Sequence, residues 1–139
     1  DNTDGTVTDN LTGLIWLKNA YCANVKRDWA TALADVVALN STGEMNGNDC
    51  GDDSNSGSWQ TDWRLPNLKE LESLLDYSQF DPVLPSGHPF SGVQLTFYWS
   101  STTTAVDTTA AWSEFLRFGG AASDLKTSSN AVWAVRGGQ

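Results

Sequence analysis

A chain of 139 residues holds one compact domain with a real core and leaves little room for a second. Seven Trp and 40% apolar residues exclude a disordered tail, and apolar runs of only a few residues exclude a membrane-spanning helix. Eight Lys plus Arg against seventeen Asp plus Glu give a formal charge of -9. That balance argues against nucleic-acid partners, whose affinity comes largely from basic side chains displacing counterions, and against insertion into or docking on anionic membranes.

In chain order, turn residues at Asp1 to Gly5 lead into β-branched Thr6-Val7-Thr8, and a second turn signal from Asn10 to Gly13 precedes Leu14-Ile15-Trp16-Leu17. This predicts a β-hairpin. Asp28 is placed to cap a helix whose apolar positions Trp29, Leu33, Val36, Val37 and Leu39 recur at helical spacing, with Asn40 and Gly43 as its end. Residues 40 to 62 read as a long acidic loop without Lys or Arg. Asn67 with Glu70 three residues on is a capping box, and it opens a second helix through Leu68, Leu71, Leu74 and Leu75. Pro82, Pro85, Gly87 and Pro89 make the stretch from Asp81 to Gly92 irregular. Strands are predicted over 96–100, 111–118 and 131–136, separated by Thr-rich and Gly-Ala-Ser-rich connections. Two helices between an N-terminal hairpin and C-terminal strands indicate a single α+β domain over residues 1–139.

Cys22 and Cys50 are the only cysteines, 28 positions apart. Either they close one disulfide around the first helix, contributing roughly 3 kcal/mol in an oxidising compartment, or they are two unpaired thiols. With no CxxC and the single His88 far away, they do not supply a usual zinc set. Thr, Ser, Asn and Gly in place of Lys and Glu are the composition of secreted or virion-surface β-rich domains. The opening at Asp1, without a signal segment, suggests that a targeting segment has been removed upstream.

Five motifs occur in order: Asp4-Gly5-Thr6-Val7-Thr8-Asp9, Thr12-Gly13-Leu14-Ile15-Trp16, Trp63-Arg64-Leu65-Pro66 with Glu70-Leu71, Tyr98-Trp99-Ser100-Ser101, and Val135-Arg136-Gly137-Gly138. Together they cover nearly the whole chain, which resembles the C-terminal domain family of collagen-like adhesins (Lcl C-terminal). The resemblance implies a C-type-lectin-like fold: a small twisted antiparallel sheet, N- and C-terminal strands paired, two helices and long loops on one side. Within it Trp16, Trp63, Trp99 and Trp112 are expected in the core, and Arg64 and Arg136 are expected to satisfy buried acceptors.

The same fold hosts sugar binders, protein binders and an enzyme branch, the formylglycine-generating oxidases, so function rests on the loops. That branch depends on late-chain cysteines, a position that neither Cys22 nor Cys50 occupies, and His88 has no nearby Ser or Cys. A non-enzymatic domain is expected.

Residues 98–139 are the candidate display region. Chemically miscellaneous positions there alternate with residues set by structure, a mosaic similar to the variable proteins of diversity-generating retroelements, which randomise adenines in Asn-type codons at the end of such genes. The candidate ligand-binding positions are Val106, Asp107, Ser113, Phe115, Arg117, Phe118, Ala121, Ser123, Asp124, Leu125, Ser128, Ser129, Asn130 and Trp133. Alternation along 111–118 puts Trp112, Glu114 and Leu116 on one face and Ser113, Phe115 and Arg117 on the other. With Trp112 and Leu116 inward, Phe115 and Arg117 face outward as an interaction hot spot; the competing arrangement packs Phe115 and Phe118 in a second small core.

The expected partner is a protein or glycan ligand on another cell or particle, met at an extracellular, cell or virion surface. An invariant polysaccharide-binding adhesin and a homo-oligomerisation head are the alternatives. No cofactor is expected beyond one candidate, calcium. Asp4 and Asp9 have calcium-loop spacing, and Asp49, Asp52 and Asp53 lie together in the acidic loop, although solvated acidic turns are the commoner outcome.

Overall fold

The computed structural model describes residues 1–137. Gly138, the last residue of the fifth motif and within the 98–139 region, lies outside the described residues, as does Gln139. The domain is α+β, but its strands form two separate three-stranded antiparallel sheets and a two-stranded hairpin rather than one sheet.

Strand β1 (Thr6–Thr8) pairs with β2 (Ile15–Leu17), Val7 opposite Trp16, as the alternation predicts. The turn between them is built by Asp9, whose carboxylate accepts the Leu11 N–H and the Thr12 hydroxyl, and by Gly13 at φ 74°. The other edge of β2 takes β8 (Val135–Arg136), so the first and last strands are stitched into one sheet.

Helix α1 (Trp29–Thr42) starts where expected, the Asp28 carboxylate accepting the Thr31 N–H at 2.8 Å. It runs past Asn40 and stops at Gly43, whose left-handed backbone (φ 76°) returns its N–H to the Leu39 carbonyl. The helix buries Ala32, Val36 and Leu39, and with them Asp35, whose charge is met by a two-pronged Arg27 at 2.8 and 3.0 Å.

The acidic stretch is more ordered than a loop. Strands β3 (Glu44–Met45) and β4 (Asn48–Asp49) form a tight hairpin across Asn46-Gly47, both residues left-handed. A disulfide joins Cys22 to Cys50 beside it, so the thiol alternative falls. Further along, the Asn40 side chain bonds both the N–H and the carbonyl of Trp63, and the Trp59 indole donates to the Asn40 carbonyl.

Helix α2 (Leu68–Ser73) carries the predicted capping box, Asn67 and Glu70 each accepting the other's N–H. It ends before Leu74 and Leu75. The chain then turns away, the Asp76 N–H pairing with the Val83 carbonyl at 2.9 Å.

The second sheet has the order β5 (Phe97–Thr103), β6 (Ala110–Phe115), β7 (Ala121–Leu125). Strand β7 occupies what the composition predicts as a Gly-Ala-Ser-rich connection. Its Ala-Ala-Ser-Asp-Leu has little intrinsic β preference; full pairing with β6 makes it a strand. The free side of β5 meets Ala131, which exchanges bonds with Phe97 and Trp99 at 3.0 Å each, leaving β7 as the edge of this sheet.

Between the two sheets lies an aromatic core in which Trp16, Tyr98, Trp99 and Trp133 are all completely buried. Trp133 sits at its centre, 5.2 Å from Trp16, 5.6 Å from Tyr98 and edge-on to Phe90 at 4.7 Å. The buried indoles of Trp99 and Trp133 donate to the Arg27 and Leu17 carbonyls at 2.7 and 2.8 Å, tying distant segments together.

Candidate functional site

The β6–β7 hairpin and its flanking turns hold most of the expected display positions. At one end the turn after β5 exposes Val106 and Asp107, shaped by the Asp107 carboxylate accepting the Thr109 N–H and hydroxyl. At the other end the turn after β6 exposes Arg117 and Phe118. Between them, along the edge strand, Ala121, Ser123 and Leu125 point outward by the two-residue period, and Ser128 and Ser129 are exposed just beyond. A rigid paired scaffold therefore carries side chains of mixed chemistry from one end of the hairpin to the other.

Three expected display residues do not belong to this surface. Trp133 is fully buried at the centre of the aromatic core. Ser113 is likewise buried, its hydroxyl donating to the Asp124 carboxylate at 2.8 Å. Asn130 is buried too, donating to the same oxygen at 2.9 Å while its backbone pairs with Arg27. Asp124, half-buried, is thus a brace that holds β7 to β6 and to the chain beyond it.

The face assignment along β6 fails for a physical reason. Ser113 and Glu114 are adjacent and both at zero exposure, while Trp112 is half-exposed, so the middle of this strand is covered on both faces. Alternation separates core from solvent only where one face is wet. Phe115 is neither free nor fully core: it stacks on Phe97 at 4.6 Å and meets Phe118 edge-on at 4.8 Å. The three rings make a ledge running from half-buried Phe97 to a Phe118 that is 60% exposed. Phe97 was absent from the sequence candidates, although the predicted strand at 96–100 already offered it as a cross-strand partner.

Beneath the ledge Glu114 has one carboxyl oxygen bonded by the Gly120 N–H at 2.7 Å and the other without a partner. Burial pushes its pKa up, outweighing the Gly120 hydrogen bond, and the nearby Glu72 charge adds to the rise. Such a group holds its proton more tightly folded than unfolded, so it takes stability away as pH rises from the ordinary Glu range through its raised folded value. Glu114→Gln keeps the Gly120 acceptor and cannot ionise. In denaturant unfolding from pH 4 to 7, the variant is expected to gain on the parent as pH rises.

Five of the basic side chains are held in ion pairs. Arg117 pairs with Asp81, Arg27 with Asp35, Arg64 with Glu70, Arg136 with Asp62 and Lys18 with Asp1, all at 2.6 to 2.8 Å. Lys126 lies 4.1 Å over the Trp29 ring. Arg64 meets the expected kind of acceptor, the largely buried Glu70 carboxylate, and also donates to the Gly137 carbonyl, whereas Arg136 pairs with the exposed Asp62 and satisfies no buried carboxylate.

The acidic candidates do not converge: among the described residues no three His, Cys, Asp or Glu side chains are placed to share a metal ion. Asp4 and Asp49 each accept a backbone N–H two residues on, and Asp9 shapes its own turn. Exposed Asp53 gives its N–H to the Asp4 carbonyl. Asp52 is buried and its two oxygens receive the Gln60 N–H, the Trp63 indole and the Ser54 N–H and hydroxyl.

Residues 5–136 match the family model described as the Lcl C-terminal domain. A comparison with curated proteins finds no match.

Proposed function

The chain belongs to the Lcl C-terminal domain family, and we propose that it is an adhesin-like ligand-binding display domain with a C-type-lectin-like arrangement, acting at an extracellular, cell or virion surface. The carrying observation is the edge hairpin: nine exposed positions of unlike chemistry, of which Ala121, Ser123 and Leu125 stand on the paired strand β7 and Val106, Asp107, Arg117, Phe118, Ser128 and Ser129 on the turns that flank it. Side chains held on paired strands bind without a large ordering cost. The Cys22–Cys50 disulfide supports an oxidising compartment and removes both thiols as nucleophiles, which favours binding over catalysis. No helix is long and apolar enough to cross a membrane.

Within this reading the gene is the variable member of a diversity-generating retroelement. Sequencing the locus in sister isolates tests it. Differences are expected at those nine exposed positions, with Ser113, Asn130 and Trp133 unchanged and a template repeat with a reverse transcriptase downstream; evenly spread differences with neither element overturn it.

Polysaccharide binding is the second reading. The formal charge of -9 and the pairing of all four arginines disfavour sulfated chains, whereas a hollow of about 330 Å³ lined by Asn19, Tyr21, Asn24, Asn48 and Gln94 offers amides and one ring to a neutral sugar. A saturable hit on a neutral-glycan array favours it.

Neither reading uses calcium, because Asp52, the most buried of the acidic candidates, is already satisfied by protein donors. Burial alone would raise its pKa, but the hydrogen bonds from Gln60, Ser54 and Trp63 together hold it below the ordinary Asp range. Its contribution is therefore present above that range and lost as pH falls through the depressed folded value. EDTA is expected to leave Tm unchanged, while Asp52→Ala costs roughly 2–3 kcal/mol by stranding the Trp63 indole and its neighbours. A fall in Tm on chelation would restore the metal.

A further inference from the structure

The β1–β2 turn, the end of α2 and the proline-rich crossing enclose a cleft of about 470 Å³ that none of the candidate display positions lines. Its walls are mostly apolar, with Val7, Leu11, Leu75, Tyr77 and Phe90 among them. Leu11 is 97% exposed and Tyr77 70% exposed, one edge of the Tyr77 ring lying over Gly119. A volume of this size with apolar walls and a few polar groups is the usual form of a small-molecule site.

The polar groups define what fits. Asp9 and Asp76 line the cleft and no Lys or Arg does. Asp76 receives the Ser78 N–H and hydroxyl on one oxygen, at 3.0 and 2.6 Å, and its second oxygen has no donor among the described residues. His88, also lining the cleft, has a buried Nδ1 with no hydrogen-bond partner. The free Asp76 oxygen is open to water and carries charge, and the His88 Nδ1 accepts a hydrogen bond in the Nε2–H tautomer, so a cation can serve both groups whereas an anion is repelled by Asp76.

We propose that this cleft binds a small apolar ammonium ion, an arylalkyl- or alkylamine, whose hydrocarbon part lies against the Leu11, Tyr77 and Phe90 wall and whose N–H groups serve Asp76 and His88. The Ser78 hydroxyl and N–H hold the Asp76 carboxyl below the ordinary range, and burial lowers the His88 pKa. Near pH 7 the cleft thus presents a carboxylate and a neutral imidazole, the charge state that an ammonium ion complements. A neutral alcohol of the same shape gains the apolar contact but not the ion pair, and a carboxylate is repelled.

The test is a titration of the whole chain by amide NMR with three probes of one shape: phenethylamine, 2-phenylethanol and phenylacetate. Phenethylamine is expected to give saturable shifts at Leu11, Leu75, Tyr77 and His88, with 2-phenylethanol weaker by about tenfold and phenylacetate weaker still. Asp76→Asn keeps the oxygen that accepts the Ser78 bonds and removes the charge; it should erase the preference for amine over alcohol while the spectrum elsewhere stays unchanged. Shifts that fail to saturate, shifts spread over the acidic residues 44 to 62, or equal binding of amine and alcohol overturn the proposal. None of these outcomes depends on the display hairpin.

Discussion

Trp99→Ala is expected to cost roughly 3–5 kcal/mol in unfolding free energy, and Trp133→Ala as much, whereas Phe118→Ala and Arg117→Ala each change it by less than about 1 kcal/mol. Both indoles are completely buried, so truncation leaves a cavity, at Trp133 one bordered by the Trp16, Tyr98 and Phe90 rings, and it strips the Arg27 or Leu17 carbonyl of its donor. Phe118 is mostly in water and Arg117 holds only an exposed ion pair with Asp81, which stabilises little. Phe115→Ala falls between, at roughly 1–3 kcal/mol, because it loses a stacked ring but only part of a buried surface. Urea unfolding of the five variants decides where core ends and display begins. If Phe115→Ala proves as damaging as Trp99→Ala, the aromatic ledge is core and the binding face starts at β7.

Local chemistry made much of this fold legible before any coordinates. Asp28, Gly43, Asn67 and Glu70 act through backbone groups within a few residues, so their roles as caps could be read directly and were found as expected. The β1–β2 hairpin was equally local. Asn46-Gly47 carries a hairpin signal of the same kind, but it is hidden within an acidic, loop-like composition that has no apolar alternation on either side. Strand β7 was illegible for the opposite reason: nothing in Ala121 to Leu125 favours a strand except the neighbour it pairs with.

The candidate site shows the same division. Exposure of Val106, Asp107 or Ser128 follows from turn chemistry, which a sequence displays. Burial of Ser113, Asn130 and Trp133 depends on what lies across the sheet. Asp124 draws in the first two, and the Leu17 carbonyl, more than a hundred residues away in the chain, receives the third. A small polar residue and a Trp carry no mark of such partners. Their burial sharpens the display reading, since a position that braces the scaffold cannot be varied without loosening the surface it supports.

Opening the Cys22–Cys50 bridge should be the other large effect. The bridge closes a loop of 28 positions that contains α1 and the β3–β4 hairpin, and in the chain-entropy account a loop of that length stabilises by roughly 3–4 kcal/mol through its restriction of the unfolded chain. The folded state does not need the bond to hold its shape there. The Ala23 carbonyl accepts the Asn46 and Asn48 side-chain amides at 3.0 and 3.3 Å, and Gly43 receives the Cys50 N–H at 3.1 Å on its carbonyl. The Cys22→Ala, Cys50→Ala chain should therefore keep the parent's circular dichroism at low temperature and melt on the order of 10–15 °C lower. Dithiothreitol should bring the parent down toward the double variant and leave the variant unmoved. Such a penalty would support the proposed extracellular or surface location, because the bond forms and persists in an oxidising compartment. A parent whose melting is indifferent to reductant would remove that support from the proposal.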